Sequence, residues 1–270
     1  MGNETAAEIS AEPTLTPPPR GVMAADYATD RARKPHLIFR FRCRALIAAR
    51  MFRTYAANQD AVRIADFGAA DGRAMAETHR LLGASWSVGV EWADELIRSA
   101  PPMPFGCHLV QGDVTKPNRK VEAGTFDLVT ALAVFEHVKE PEKLAARAAD
   151  GLKPGGLLIA TCPSGPWDRV SGAVGLHKDE YHEGEFNKAR FEAVARAGGL
   201  EPVRYERFMF APIGVLPYAN VPVSPGLALA IDRLLATIPL VNLGMVNQVF
   251  VARKPAPQAG GAQSKGVGER

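Results

Sequence analysis

From Val62 to Pro163 the chain alternates short apolar runs with helical patterns. "VRIADFG" leads into a helix expected from Arg73 to about Leu82, "WSVGVEW" precedes "ADELIRSA", and "FGCHLVQGD" follows. "FDLVTALAV" then precedes "EPEKLAARAADGL", and "GGLLIATCP" closes the series. Apolar runs of strand length, separated by amphipathic helices, predict a mostly parallel sheet covered on both faces, an α/β doubly wound fold. The helix before the last run is well punctuated. Pro141 suits its first turn, Leu144, Ala145, Ala148 and Leu152 recur at helical spacing, and "KPGG" ends it.

Past Pro163 the pattern predicts a helix near Glu185 to Ala197, a strand "EPVRYERFMF" and a final strand "NQVFVARK". Between those strands lies an insertion, about 211–244, too long for a hairpin loop and too apolar for a bare linker. Ser224 and Pro225 can start a helix there, with Leu227, Ile231, Leu234 and Leu235 as its apolar face. Ahead of the core, Arg31 to Arg53 carries eight Arg or Lys and no acid. On a helix, Leu37, Phe41, Ala45, Ala48 and Phe52 would share one face.

The domain reading is therefore a disordered segment over 1–30, a basic amphipathic helical extension over 31–60, a main domain over 61–254 and a disordered tail over 255–270. With 270 residues, 47% hydrophobic and a net charge of +3, the chain is long enough for one substantial core. Cys43, Cys107 and Cys162 are widely spaced, which argues for a reducing compartment and a cytoplasmic protein. The N-terminus has no apolar run of signal-peptide type, and Ala6 stands where N-myristoylation wants Ser or Thr. No window reaches the roughly 18–20 apolar residues of a spanning helix.

The chemistry starts at "IADFGAADGR", Ile64 to Arg73, where Gly68, Ala70 and Gly72 alternate after a strand. Small residues there clear the backbone at the carboxyl end of the strand, and helix amides beyond them favour an anionic group. A dinucleotide fold would need G-x-G-x-x-G, which this stretch lacks. Downstream, Glu91 ends the second apolar run and Asp113 follows the third. A bare strand-to-helix turn and solvated strand ends are the plain alternatives.

The stretch resembles motif I of the class I S-adenosylmethionine-dependent methyltransferases, with Asp66 as the acid, Gly68 and Gly72 as outer glycines and Ala70 replacing the middle one. That resemblance implies a seven-stranded sheet with an antiparallel last strand and S-adenosyl-L-methionine as cofactor. It implies that Asp66 orders the loop, that Glu91 takes the ribose hydroxyls and Asp113 the adenine amino group, and that Val114 and Leu132 are neighbouring cofactor contacts. Glu136, His137 and Val138 match the Glu-His-Val of the small-molecule group that includes ubiquinone-biosynthesis O-methyltransferases. Some members use an earlier glutamate with this pair for a metal. Ala133 occupies that position here, so no metal is assigned.

A sulfonium donor brings an activated methyl group, so the protein must chiefly align an acceptor lone pair and remove its proton. His137 is the first candidate base, with a helix-start packing role as the alternative, and Glu136 could orient it or accept the proton itself. "HKDEYHEGEF" supplies a third catalytic candidate, His177, with Tyr181, in a loop over the acceptor pocket, since the spacing of His177 and His182 fits no standard metal motif. Cys162 resembles the nucleophile of RNA cytosine-C5 methyltransferases, but the Pro-Cys motif of that group is missing, so it reads as a small buried residue.

The basic segment fits three roles: a packed lid helix with solvated arginines, contact with an anionic membrane surface, or phosphate contacts to nucleic acid, the last disfavoured because no recognised module accompanies it. The function expected is methyl transfer to a small or lipid-like acceptor at a hydroxyl oxygen, with peripheral membrane contact as a further expectation. RNA or protein methylation, or a non-catalytic cofactor-binding protein, is the alternative.

Overall fold

The computed structural model describes residues 25–165, 167 and 183–256. Its strands are β1 (Arg63–Phe67), β2 (Trp86–Glu91), β3 (Cys107–Gln111), β4 (Phe126–Leu132), β5 (Leu152–Pro163), β6 (Glu201–Phe210) and β7 (Met245–Arg253). They form one seven-stranded sheet in the order β3-β2-β1-β4-β5-β7-β6. Strand β7 runs antiparallel to both neighbours and the other pairs are parallel. The chain order reverses between β1 and β4, so a crevice opens at their carboxyl ends, where open α/β sheets bind ligands.

One sheet face is covered by α5 (Pro141–Gly151) and α6 (Lys188–Ala197), whose Leu144, Ala148, Phe191 and Val194 pack on Val129, Leu158 and Phe250. Pro141 occupies the first turn of α5, and the Asn187 side chain caps α6 by accepting the Arg190 N–H at 2.9 Å. The opposite face is covered by α2 (Pro35–Tyr55), through Phe39, Cys43, Ile47 and Phe52 against Ile64, Leu128 and Ile159. The buried stripe of α2 is thus rotated from the expected one: Leu37 and Phe41 are only half-buried. On that side α3 (Arg73–Leu82) runs from Gly72 to Gly83, both left-handed caps. The short α4 (Asp94–Arg98) follows β2.

Two expectations need correcting. Helix α1 (Ala25–Arg33) lies partly inside the segment read as disordered to residue 30. Tertiary contact holds it there, with Ala28 packed on Ala70 and Leu96, and Pro35 at the start of α2 separates the two helices.

The second concerns the insertion, residues 211–244, built from α7 (Ala211–Gly214), a 3-10 turn at Leu216–Ala219, α8 (Pro225–Leu235) and α9 (Pro239–Asn242). Ser224 caps α8 as expected, but Ala228, Leu229 and Asp232 face the domain while Leu227 and Leu234 are exposed. Asp232 sets this orientation. Its carboxylate accepts the N–H groups of Met209 and Phe210, at 2.6 and 3.0 Å, where β6 bends through a left-handed Met209.

Candidate active site

The loop after β1 is tied to β2. Gly68 and Ala69 donate their N–H groups to the Val90 carbonyl at 2.8 and 3.1 Å, and Ala70 donates to Glu91 Oε2 at 2.8 Å. Gly68 has φ +70, and a Cβ there would stand 2.6 Å from Val134 Cγ2, so only glycine lets the loop lie against the segment that follows β4. Ala70 has φ +50, a left-handed conformation that its methyl group disfavours. The hydrogen bond to Glu91 together with the contact of Ala28 holds the strained residue in place.

Glu91 is buried and organises the loop. Its Oε1 accepts the Ala93 N–H at 3.0 Å while Oε2 holds Ala70. Burial pushes its carboxyl above the ordinary value, partly offset by the N–H groups of Ala93, Ala70 and Trp92 and by Arg31. The loop-ordering role expected of Asp66 falls to Glu91 in this geometry. Asp66 instead accepts the Thr130 hydroxyl at 2.6 Å, and burial pushes it up to about 7 against the Thr130 hydrogen bond and Arg31, with the Glu91 charge adding to the rise.

Asp113 lies past the end of β3, half-buried, with its Oδ1 accepting both the N–H and hydroxyl of Thr115 at 2.9 and 2.7 Å. Burial raises its carboxyl, but these bonds and Lys116 at 3.3 Å outweigh that and leave it below the ordinary value. Val114 and Leu132 are half-buried, Val114 against the core on the α5 side and Leu132 on the α2 side. Asp66, Glu91 and Asp113 therefore stand at the carboxyl ends of β1, β2 and β3, neighbours in the sheet around the 68–72 loop. The cleared backbone, the N-terminus of α3 and the strand-end carboxylates fit a ligand with an anionic end and a hydroxyl-bearing ring.

Glu136 and His137 share a 3-10 turn after β4, Phe135–His137, but their side chains differ in setting. His137 is half-exposed. Glu136 is buried, and its Oε2 accepts the Cys162 thiol at 3.0 Å, while Oε1 is buried without a hydrogen-bond partner among the described residues. Cys162 is thus more than a small filler. Burial, followed by the Glu136 charge, pushes its thiol well above the ordinary range. His177 and Tyr181 lie outside the described residues, as do the expected terminal segments before 25 and after 256. Among the described residues no group of three or more His, Cys, Asp or Glu could hold a metal ion.

Sequence reasoning missed the contribution of α1. Arg31 Nη1 stands 3.1 Å from Asp71 Oδ1, and Arg73 Nε stands 2.9 Å from Asp71 Oδ2. Asp71 is completely buried between them. An acid inside the loop, followed two positions later by an arginine, was the available signal, but its partner 40 residues upstream carried no pattern. In the basic segment Arg44 is buried whereas Arg42 is exposed, so Arg40, Arg42 and Arg44 form no single phosphate-facing surface.

Residues 65–160 match a family model described as a methyltransferase domain. The chain is 37% identical over 71 residues to malonyl-[acyl-carrier protein] O-methyltransferase of Halalkalibacterium halodurans, covering 26% of this chain and 25% of that protein. It is 30% identical over 156 residues to ubiquinone biosynthesis O-methyltransferase of Xanthomonas axonopodis pv. citri, covering 52% of this chain and 62% of that one. The chain thus spans less than two thirds of the length of either relative. Phosphoethanolamine N-methyltransferase 2 of Haemonchus contortus, solved with S-adenosyl-L-methionine, shares the fold with a TM-score of 0.54 at 16% identity, over 87% of this chain and 61% of that one.

Proposed function

We propose that this chain, whose residues 65–160 match a methyltransferase domain, is a class I enzyme that moves a methyl group from S-adenosylmethionine to a small or lipid-like acceptor, at a hydroxyl oxygen. The observation that carries the reading is the row of Asp66, Glu91 and Asp113 on three adjacent parallel strands around the glycine-cleared loop. When bound, the cofactor supplies a methyl group already activated by its sulfonium charge.

The chain's own residues do the rest. The 68–72 loop and the amides opening α3 receive the cofactor's charged amino-acid end. Glu91 accepts the ribose hydroxyls, and Asp113 accepts the adenine amino group, with Val114 and Leu132 as neighbouring contacts. His137, half-exposed just past β4, takes the proton from the acceptor oxygen. Both curated relatives are O-methyltransferases by name, which supports an oxygen acceptor. The apolar insertion leaves the sheet at the carboxyl end of β6, the same end as the cleft, which supports a hydrophobic one.

Calorimetry with S-adenosylhomocysteine tests cofactor use. Wild-type protein binds and Glu91→Ala binds at least tenfold more weakly, whereas no binding by the wild type overturns the reading. Acceptor class is tested by incubating a cell extract with labelled donor. Label recovered in solvent-extractable small molecules supports the proposal, and label confined to RNA or protein overturns it.

A further inference from the structure

The insertion has an outward face that the domain does not use. Over residues 211–244 the sequence has only two charged residues, Asp232 and Arg233, and Asp232 is buried. Helix α8 packs through Ala228, Leu229 and Asp232, while Leu227 and Leu234, seven positions apart and therefore on one stripe, are 61% and 74% exposed on the opposite side. A surface helix ordinarily turns a polar face to water. This one is apolar on both sides, and Ile238, Leu240 and Leu243 extend the exposed surface at 48%, 80% and 62%. An apolar patch of this kind on a protein surface marks a contact site.

Beside it lies a basic cleft of about 510 Å³. Arg50 of α2, Arg204 and Arg207 of β6 and Arg233 of α8 line it against a single carboxylate, Glu206. Glu206 is shared by Arg50 at 2.5 Å and Arg204 at 3.0 Å, and Arg207 Nε reaches the Tyr205 hydroxyl at 3.3 Å. Arg233 makes no ion pair among the described residues and adds a repulsive charge to Arg50. The cleft wall at Arg233, Ala236, Thr237 and Asn242 interleaves in sequence with exposed Leu234, Ile238, Leu240 and Leu243. Excess positive charge bordering exposed leucines is the arrangement that complements an anionic lipid surface, whose headgroups meet the arginines as its acyl region receives the leucines.

We propose that the 211–244 insertion docks the protein on an anionic bilayer surface, with Leu234, Ile238 and Leu240 entering the interface and Arg50, Arg204, Arg207 and Arg233 holding lipid phosphates. No helix among the described residues is long and apolar enough to cross a membrane, so the contact is peripheral. The residues named here include none of those assigned to the cofactor or the acceptor proton, and the docking holds whether or not the chain transfers methyl groups.

Co-sedimentation of the full chain with vesicles tests it, comparing phosphatidylcholine alone with equimolar phosphatidylcholine and phosphatidylglycerol. Wild-type protein partitions onto the mixed vesicles and is released by high salt. Replacing both Arg204→Gln and Arg233→Gln lowers partitioning by about fivefold per arginine. Replacing both Leu234→Ser and Leu240→Ser lowers it at least tenfold at unchanged thermal midpoint, because both side chains are exposed in the free protein. Absence of wild-type sedimentation, or variants that sediment like the wild type, overturns the proposal. So does a dimer that buries these leucines and persists in the presence of mixed vesicles.

Discussion

Arg31 of α1 and Asp71 of the loop after β1 form a buried ion pair, 3.1 Å between nitrogen and oxygen, with the two side chains 8% and 0% exposed. The pair ties the N-terminal helix to the cofactor-side loop, and the Arg31 charge also reaches Asp66 and Glu91. Arg31→Met leaves Asp71 with Arg73 alone. Removing one partner of a buried pair costs about 3–5 kcal/mol, and the remaining arginine reduces the expected loss to about 1–3 kcal/mol. Urea denaturation reads the loss. Hydrogen exchange should rise selectively over residues 25–33, and a variant with wild-type protection there would show that α1 is held by other contacts.

The two small residues of the loop make opposite predictions. Ala70 pays for a left-handed backbone, so Ala70→Gly should raise stability by about 0.5–1 kcal/mol, the strain relief exceeding the entropy that glycine adds to the unfolded chain. Gly68→Ala meets both φ +70 and a contact of 2.6 Å with Val134, and should lower stability by about 2 kcal/mol or more. Denaturant midpoints of the two variants should lie on opposite sides of the wild type.

Asp66 gives a pH dependence. Its carboxyl sits at about 7 in the fold against an ordinary 3.8, so the folded state holds a proton that the unfolded state releases. Between about pH 4 and pH 7 the folded protein binds more protons, and stability must fall as pH rises through that window. Glu91 and Asp232 are raised too and act in the same direction. Asp66→Asn keeps an acceptor for the Thr130 hydroxyl and removes one titration. The difference in urea midpoint between variant and wild type should therefore grow in the variant's favour from pH 5 to pH 8. A constant difference would mean that Asp66 is ionised in the fold throughout.

Strand positions were legible because buried runs and their glycine or proline stops are local. The positions of three acids were legible for the same reason: Asp66 lies next to the last residue of β1, Glu91 ends β2 and Asp113 follows β3. What failed was orientation. The leucine-rich stripe of α8 looked like its core face, yet buried Asp232 is needed by the N–H groups of Met209 and Phe210, and this polar requirement outweighs the leucine count. The same limit hid Arg31, whose role depends on a partner distant in sequence, and the conformation of Ala70, which is fixed by Glu91 and Ala28 rather than by its own neighbours.

The adjacent Glu136 and His137 can be separated by experiment. Glu136 is buried and bonded to Cys162, whereas His137 is half-exposed in the turn after β4. If His137 is the base, His137→Ala should lower kcat by about 10²–10⁴ while S-adenosylhomocysteine binds with unchanged affinity. Glu136→Gln should act mainly through altered packing around Cys162, since its carboxylate faces a thiol, and should lower kcat far less than His137→Ala does. A larger kcat loss in Glu136→Gln than in His137→Ala would transfer the proton-accepting role to the glutamate, whose Oε1 is buried without a hydrogen-bond partner among the described residues.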